Sequence, residues 1–274
     1  MLDFFHGQAS DNHREENMYS IEAQLHEVAE RLAAGKKNVA LTGAGISVDS
    51  GIPDFRSPGG LWERYEIAEY GTIEAFNQDP VKVWSMLAEV DRVVDRAEPN
   101  PGHLSLAKLE ELGCLEGVIT QNIDNLHQLA GSKNVIEFHG NTTRLLCLTC
   151  GLRIGAEEVR QHMTPDSSDF PPRCPSCDSV LKPDVVMFGE PIPDQPGRQA
   201  MDISDGADVF LVVGTSVNVA PASYLPSVAK NSGACVVEVN PEPTSLSNGL
   251  AEFSLRGGAG EILPKLVEIV TGLL

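Results

Sequence analysis

The sequence predicts a doubly wound α/β fold, in which helices cover both faces of a parallel sheet. Five short segments rich in Val and Ile, each bounded by turn residues, have the near-continuous apolar character of strands that are buried on both faces. These segments are 38–41, 117–120, 134–138, 209–213 and 235–239. Helical patterns lie between them, and glycine turns follow two of them, as expected at the ligand-binding edge of such a sheet.

The composition is that of a folded protein with a strongly acidic surface. Of 274 residues, 42% are hydrophobic and 22% are charged, which excludes a fully disordered chain and a coiled coil. The formal net charge of −19 repels phosphate backbones, so we expect no direct nucleic-acid partner, whereas basic protein segments would be attracted. Adaptation to high salt gives the same composition, and the sequence does not separate the two explanations.

Export and membrane segments are not indicated by the sequence. No apolar run approaches the roughly 20 residues of a membrane helix, and the first residues lack the cationic and apolar regions of a secretory signal. Four of the six cysteines form C-x-x-C pairs, which in such a protein indicate a metal site rather than disulfides. We therefore expect a cytoplasmic protein without a membrane partner. Its oligomeric state is not indicated.

The first elements follow a polar amino-terminal segment. Residues 1–19 are acidic and aperiodic, and we expect them to form a flexible tail. Apolar residues then recur at three- and four-residue steps from Ile21 to Leu32, which predicts a helix that begins near Ser20 and ends at Gly35. Similar patterns predict one helix over 104–112 and a last helix over 262–270.

Two stretches interrupt the alternation of strands and helices. Residues 55–100 carry charged helical patterns rich in Trp, Tyr and Glu, and residues 142–187 carry the cysteine pairs and a loop rich in Pro, Ser and Asp. We expect a helical insertion and a zinc-binding module, which together build a smaller domain. The remaining segments, 20–54, 101–141 and 188–274, would form the Rossmann-like domain.

The cysteine pairs have the spacing of a structural zinc site. Cys147 and Cys150 form the first pair, Cys174 and Cys177 form the second, and 23 residues separate the pairs. Two such pairs converge on one tetrahedral Zn²⁺, and four thiolates leave no open position for a reacting water. A redox function is disfavoured, because two pairs occur and neither opens a helix after a strand.

A glycine turn follows the first strand. Gly43, Ala44 and Gly45 open a dinucleotide-binding type of loop, but the full G-x-G-x-x-G pattern is absent, because position 48 is Val. Taken alone, this turn is equally consistent with a simple tight turn. Residues 43–56 as a whole read G-A-G-I-S-V-D-S-G-I-P-D-F-R.

That stretch matches every fixed position of the fingerprint G-A-G-I-S-x-x-S-G-I-P-D-F-R, and the chain thus resembles the sirtuins, which are NAD-dependent protein-lysine deacylases. The resemblance implies that Ala44 and Gly45 hold the pyrophosphate of NAD and that Gly43 belongs to the same cofactor site. It also implies that Asp54, Phe55 and Arg56 close over the nicotinamide ribose. Without the resemblance, Asp54 and Arg56 would be interpreted as a surface ion pair.

Polar side chains cluster after the strand at 117–120. Gln121, Asn122 and Asp124 could bind hydroxyls and a carboxamide at a strand end, whereas helix capping would explain only one or two of them. The stretch resembles the sirtuin motif T-Q-N-I-D-x-L-H. The resemblance implies that Asn122, as a catalytic residue, and Asp124 act at the nicotinamide end, that Gln121 contacts the ribose, and that Ile123 lines the cofactor site.

His139 follows the strand at 134–138 and therefore faces the same edge of the sheet. A histidine has an ordinary pKa near 6.5, which suits a general base, although a single histidine is more often structural. The sirtuin pattern places the catalytic base in H-G at this point, and we assign that role to His139. His103 and His127 are interpreted as structural.

The remaining contacts are implied by the resemblance alone. Residues 182–190 resemble [KR]-P-x-[VI]-V-x-F-G-E, in which apolar side chains line a tunnel for the acyl-lysine and the Gly-Glu backbone pairs with the peptide; an ordinary buried strand is the alternative. The implied substrate-binding residues are Val186, Phe188, Gly189, Glu190, Asn218 and Val219. The further implied cofactor-binding residues are Gly214, Thr215, Ser216, Asn240 and Ala259.

One departure from the family bears on the acyl group. Sirtuins that prefer succinyl or malonyl groups carry a Tyr-x-x-Arg pair on the helix that follows an Asp-Pro, here residues 79–80. The matching positions in this chain are Leu87 and Val90, with Glu89 nearby. We therefore expect a preference for neutral acyl groups, acetyl first.

Together, the motifs predict NAD-dependent removal of acetyl groups from protein lysines, which gives nicotinamide, free lysine and O-acyl-ADP-ribose. The expected cofactors are NAD and Zn²⁺, and the expected partner is a basic acyl-lysine protein or peptide. The alternatives are a mono-ADP-ribosyltransferase that uses the same pocket, a longer-chain deacylase and a non-catalytic NAD-sensing module. The filled thiolate shell disfavours a zinc hydrolase.

Overall fold

The computed structural model describes residues 8–53, 64–160 and 170–274, without the side chains of 8–20, 158 and 160. Nine strands lie in these ranges: β1 (Asn38–Thr42), β2 (Gly117–Thr120), β3 (Val135–Glu137), β4 (Gly140–Cys147), β5 (Arg153–Gly155), β6 (Leu181–Val185), β7 (Val209–Val213), β8 (Cys235–Val239) and β9 (Phe253–Leu255). Ten α-helices accompany them: α1 (Gln8–Ala34), α2 (Ile67–Tyr70), α3 (Ile73–Gln78), α4 (Pro80–Val94), α5 (Pro101–Glu111), α6 (Leu126–Leu129), α7 (Glu157–Arg160), α8 (Asp194–Ser204), α9 (Leu225–Asn231) and α10 (Ala259–Leu273).

The main sheet has six parallel strands in the order β3-β2-β1-β7-β8-β9. Strands β1, β2, β7 and β8 are buried along their whole length, which explains their uninterrupted apolar sequences. The strand order reverses between β1 and β7. In open α/β sheets, this reversal opens a crevice at the carboxyl ends of the two strands, where ligands bind.

Helices cover both faces of this sheet, as a doubly wound fold requires. On one face, α1, α5 and α10 pack their apolar side chains into a core that includes Leu32, Leu106 and Leu266. On the other face, α8 and α9 contribute Ala200 and Leu225 to a second core. The expected fold class is confirmed.

Helix α1 begins at Gln8 and not near Ser20, which differs from the flexible tail expected over residues 1–19. Residues 8–19 contain neither Gly nor Pro, and Glu15 and Glu16 are good helix formers. Apolar periodicity reports a buried face rather than helicity itself, so a helix with few apolar residues leaves no such pattern.

A smaller unit is built from helices and a second sheet. Strands β5, β4 and β6 form a three-stranded sheet with antiparallel pairing on both sides of β4. Its core contains the fully buried Trp84 of α4, whose indole N–H donates to the carbonyl of Leu181 over 2.8 Å. The inserted helices and the cysteine-bearing segment thus share one core. None of the helices in the described ranges is long and apolar enough to cross a membrane.

Candidate active site

Two glycine turns meet at the crevice between β1 and β7. The N–H of Gly45 donates to the carbonyl of Gly214 over 2.8 Å, and the N–H of Gly43 donates to the carbonyl of Val213 over 3.1 Å. A Cβ at Gly45 would lie 2.7 Å from the oxygen of Gly214. Gly214 has a φ of +61°, and a Cβ there would run into the backbone nitrogen of Ile46. The N–H of Gly214 is likewise engaged, by the carbonyl of Val239. The turns thus pack backbone against backbone and present main chain without side chains, which lets a pyrophosphate approach closely.

The ends of β2, β7 and β8 and the start of α10 converge on the same place. Gln121 donates from Nε2 to Oγ1 of Thr215 over 3.0 Å, and Asn240 donates from Nδ2 to the carbonyl of Thr215 over 3.0 Å. The N–H of Gly257 donates to the carbonyl of Asn240 over 3.4 Å, just before α10 begins at Ala259. The structure therefore brings these sequence-predicted cofactor residues to one edge of the sheet.

A buried polar cluster lies beneath the first glycine turn. Asn122 donates from Nδ2 to the carbonyl of Gly43 over 3.2 Å and to the hydroxyl of Ser47 over 3.0 Å. That hydroxyl donates to Oδ2 of Asp124 over 2.7 Å and lies 3.4 Å from Nε2 of His103. Asn122 and Asp124 are both buried, and the cluster fixes their side chains in place.

His103 and His127 are buried neutral histidines. The N–H of Asn100 donates to Nδ1 of His103, and Nε2 of His127 lies 2.9 Å from the hydroxyl of Thr42. The rings meet edge to face, with centroids 4.9 Å apart. Burial lowers the pKa of His103 to about 4, against the opposing effect of the Asp124 carboxylate. Burial and the neighbouring His103 lower the pKa of His127 to about 3. Both therefore serve as hydrogen-bonding and packing groups at neutral pH, which agrees with their structural interpretation.

Two members of this cluster were given no role by the sequence analysis. Ser47 bridges Asn122 and Asp124, and Asn100 donates from Nδ2 to the carbonyl of Ile46 over 2.7 Å. Asn100 also caps α5, with a proline at the first helical turn and His103 completing a capping box. In the sequence, Asn-Pro-x-His places a favoured capping residue before a proline at the first helical position, and this signal could have identified Asn100.

His139 lies two residues after the end of β3 and is half-buried. Its Nδ1 is 3.0 Å from the carbonyl oxygen of Gln121. A carbonyl only accepts hydrogen bonds, so this contact places the proton of the neutral ring on Nδ1 and leaves Nε2 as the acceptor. Burial lowers the pKa of His139 below its ordinary value, and the Gln121 carbonyl opposes that effect. The ring is therefore neutral and able to take up a proton at pH 7.

The apolar segment after β6 is bound to the histidine on one side and to the helical insertion on the other. The N–H of Val186 donates to the carbonyl of His139 over 2.8 Å. The N–H of Phe188 donates to the carbonyl of Gly71, and the carbonyl of Phe188 accepts from the N–H of Ile73, both over 3.0 Å. Val186 is half-buried and Phe188 is 40% exposed, so an apolar surface beside His139 remains accessible.

A buried ion pair holds the end of this segment. Lys182 is 1% exposed, and its Nζ donates to the carboxylate of Glu190 over 2.8 Å and to the carbonyl of Val185 over 2.5 Å. The N–H of Met187 donates to the same carboxylate oxygen. The N–H of Glu190 donates to the carbonyl of Met187 and closes a turn over residues 187–190. Gly189 lies inside this turn with a φ of +90°. The Glu190 side chain is therefore used internally, and the segment presents backbone to its surroundings.

The segment after the second glycine turn is mostly exposed. Ser216 and Asn218 lie at the surface, whereas Val217 is buried and has a φ of 56°. The carbonyl of Val219 accepts from the N–H of Ser223 over 2.9 Å. Ile123 faces the smaller sheet, where its carbonyl accepts from the N–H and the hydroxyl of Thr142. Asp54, Phe55 and Arg56 lie outside the described residues.

Leu87 and Val90 lie on α4 and are half-buried. Leu87 packs against the core of the smaller unit. The carboxylate of Glu89 accepts from Tyr65 over 2.7 Å and from Arg64 over 2.9 Å. The hydrogen bond from Tyr65 makes the largest contribution and Arg64 adds smaller ones, and together they keep the pKa of Glu89 below its ordinary value.

Four cysteines form a cluster in the smaller unit. All of the Sγ atoms lie within 4.8 Å of one another, with Cys147–Cys177 at 3.5 Å and Cys150–Cys174 at 3.6 Å. A tetrahedron with Zn–S bonds of about 2.3 Å has edges of about 3.8 Å, so the sulfur positions fit a bound Zn²⁺. The thiolates would fill its shell, and the metal would hold β4 and the second cysteine pair together.

Comparison with known proteins identifies relatives along most of the chain. Residues 43–221 match the family model described as the Sir2 family. An NAD-dependent protein deacylase of Pyrococcus furiosus is 49% identical over 244 residues, which cover 89% of this chain and 97% of the relative. An NAD-dependent protein deacetylase 1 of Pyrobaculum aerophilum is 44% identical over 251 residues, which cover 92% and 96% respectively.

Solved structures agree with this relationship. A Sir2 homologue in complex with NAD superposes with a TM-score of 0.82 at 41% identity, over 90% of this chain and 94% of that one. Sir2Af2 bound to a myristoylated histone peptide gives a TM-score of 0.75 at 39% identity, over 92% and 98%. The protein belongs to the Sir2 family.

Proposed function

We propose that this protein is an NAD-dependent protein-lysine deacylase that prefers acetyl and other neutral acyl groups. One observation carries the proposal: Gln121 joins the histidine to the crevice. Its main-chain carbonyl holds Nδ1 of His139, and its side chain donates to Thr215 in the second glycine turn. A base and a dinucleotide site are thus neighbours at one strand end. The names of the relatives support NAD dependence and acyl removal.

The crevice fits a dinucleotide by its shape. Gly43, Gly45 and Gly214 leave no room for side chains, so main-chain atoms line its floor. We assign the pyrophosphate to the turns at Gly43–Gly45 and Gly214–Ser216, and the adenosine to Asn240 and Ala259. NAD, when bound, supplies the ribose carbon that loses nicotinamide and the ADP-ribose that carries the acyl group away.

The side chains of this protein position the reacting groups and move one proton. Asn122 and Asp124, fixed by Ser47, hold the nicotinamide end, and Gln121 contacts the ribose. The free Nε2 of His139 accepts a proton from a hydroxyl, because Nδ1 is already protonated toward the Gln121 carbonyl. Val186 and Phe188 exclude water beside it and hold the acyl-lysine stem.

The preference for a neutral acyl group follows from α4. Leu87 and Val90 offer no cation to a terminal carboxylate, and Glu89 adds a negative charge that Tyr65 and Arg64 only partly satisfy. An acyl carboxylate would thus be desolvated without a partner, which is costly. A solved relative bound to a myristoylated peptide makes a longer neutral chain the alternative to acetyl.

The proposed substrate is a basic protein segment, and the proposed compartment is the cytoplasm. A net charge of −19 favours cationic partners and disfavours nucleic acids and anionic membrane surfaces. The four clustered cysteines form no disulfide. Cysteines persist in this reduced state where the surroundings are reducing, as in the cytoplasm.

The test is nicotinamide release with an acetylated basic peptide and NAD, for the wild type and for His139→Ala. We expect the wild type to remove acetyl, and the variant to bind NAD but to turn over about 10²- to 10⁴-fold more slowly. Denaturant unfolding of the wild type and of the variant controls for folding. Mass spectrometry of the peptide decides the chemistry: loss of acyl supports the proposal, whereas gain of ADP-ribose would make the protein an ADP-ribosyltransferase.

A further inference from the structure

The carboxylate of Glu74 lies over the backbone of Gly189. A Cβ at Gly189 would stand 2.9 and 3.2 Å from the two carboxylate oxygens of Glu74. Glu74 is in the first turn of α3, and its side chain is exposed. The hydrogen bonds between Phe188 and the 71–73 segment hold α3 against this part of the chain. Helix α3 thus places the Glu74 carboxylate beside the segment to which we assign the substrate peptide.

Glu74 differs from the acidic residues near it, which are already paired. Glu69 binds Lys82 over 2.7 Å, and Glu190 binds the buried Lys182 over 2.8 Å. Among the described residues, no hydrogen bond or ion pair engages the carboxylate of Glu74. In the part of the chain that the structure describes, this exposed carboxylate is therefore open to an incoming cation.

The neighbouring backbone is also available. Among the described residues, neither the N–H nor the carbonyl of Gly189 has a hydrogen-bond partner, and Gly189 is exposed. An extended peptide that pairs with Gly189 would place its own residues about 5 Å away, the spacing of paired strands. A long cationic side chain next to the acyl-lysine would then reach the Glu74 carboxylate.

We propose that Glu74 selects substrates with a lysine or arginine directly next to the acyl-lysine. The inference rests on the proposed function, because it assumes that Gly189 pairs with an acyl-lysine peptide. It goes beyond net charge by assigning the preference to a single carboxylate. Glu69 and Glu190 are each already paired with a lysine of this protein, so Glu74 is the carboxylate that meets the incoming cation.

The test uses acetyl-lysine peptides that are identical except for the two residues flanking the acetyl-lysine, which are Arg, Ala or Glu. Both kcat/KM and the dissociation constant from fluorescence anisotropy are measured at low and high salt. We expect the wild type to favour Arg over Ala by about two- to fivefold, the range of an exposed ion pair, with loss of the preference at high salt. Glu74→Gln should treat both peptides alike, and Glu74→Lys should favour the Glu peptide.

Glu66→Gln is the matched control, since it removes one exposed charge from the same insertion. It should keep the arginine preference. Equal use of all three peptides by the wild type, or an unchanged preference in Glu74→Gln, would overturn the inference while deacylation itself stands. Peptide binding without turnover of any acetyl peptide would instead refute the proposed function, and the anisotropy series would still decide the role of Glu74.

Discussion

The cofactor crevice and the cysteine cluster are specified in different ways. The crevice lies at the edge of a sheet whose central strands are fully buried, and its shape follows from glycine backbones in direct contact. The cysteine cluster lies beside a three-stranded sheet, and two of its four sulfurs belong to exposed residues. Packing alone can therefore preform the first site, whereas we expect the second to need a bound metal for its order.

The two regions nevertheless share a border. Strand β4 begins at Gly140, next to His139, and Gly140 faces Val185 at the end of β6. The N–H of Val186 continues this pairing onto the carbonyl of His139. Order in the cysteine-bearing unit thus extends to His139, the proposed base, and we expect loss of a bound metal to affect catalysis without unfolding the main sheet.

Metal removal is expected to have the largest effect. A chelator, or Cys174→Ser, removes a contribution on the order of 10 kcal/mol to the order of the module, and deacylation should fall to background. Hydrogen exchange should rise across β4–β6 and stay slow in β7 and β8. Cys114→Ala, outside the cluster, should keep its zinc. Full activity of a metal-free protein would show that the module folds by packing alone.

Gly214→Ala tests the crevice in the same manner. A φ of +61° and a collision with Ile46 should together lower the free energy of unfolding by about 2–4 kcal/mol and weaken NAD binding. Gly113→Ala is the matched control, because its φ is +75° but nothing lies within 4 Å of the added Cβ. It should cost only about 1 kcal/mol. Similar losses in both variants would mean that contact between the turns contributes nothing.

Acid should weaken the crevice through its buried histidines. The pKa of His103 is about 4 and that of His127 about 3, both lowered chiefly by burial, whereas an unfolded histidine titrates near 6.5. The unfolded chain thus binds more protons below pH 6.5, and stability falls with decreasing pH by about 1.4 kcal/mol per pH unit for each histidine. Denaturant unfolding between pH 7 and 5 measures the slope. His127→Gln removes one of the two titrating groups and should reduce the slope by about 1.4 kcal/mol per pH unit. An unchanged slope would contradict this account.

The smallest expected effect concerns the acyl group. Leu87→Tyr combined with Val90→Arg introduces the Tyr-x-x-Arg pair, whose arginine can bind the carboxylate of a dicarboxylic acyl group. We expect the succinyl-to-acetyl ratio of kcat/KM to rise about tenfold, or about 1.4 kcal/mol. Leu87→Tyr alone is the control for added bulk. A wild-type enzyme that already removes succinyl as fast as acetyl would refute the assignment of these positions.

The sequence predicted the centre of the molecule well. Strands β1, β2, β7 and β8 appear where their apolar runs indicated, because burial on both faces leaves an unambiguous pattern. The edge strand β9 was missed, since Phe253–Leu255 is short and only partly buried. Leu104 belonged to the apolar pattern of α5 yet is 52% exposed, because one leucine alone does not define a helix face.

The site was predictable as far as the motifs reached. Gln121 and His139 were each placed at a strand end and Thr215 was implied by the family resemblance, and the structure brings all three together. The contact between Glu74 and Gly189 was not predictable, because it joins a helix of the insertion to a turn more than a hundred residues later. Local patterns carry no information on such pairs until the tertiary structure forms.

The acceptor that orients His139 has a consequence for variation within the family. Nδ1 is held by a main-chain oxygen of residue 121 and not by a carboxylate or amide side chain. Every amino acid supplies that oxygen, so a substitution at residue 121 would change the proposed side-chain contact with the ribose while the tautomer of the imidazole persists. Sequence variation at residue 121 would therefore change the affinity for NAD and leave the proposed proton acceptor, Nε2 of His139, unchanged.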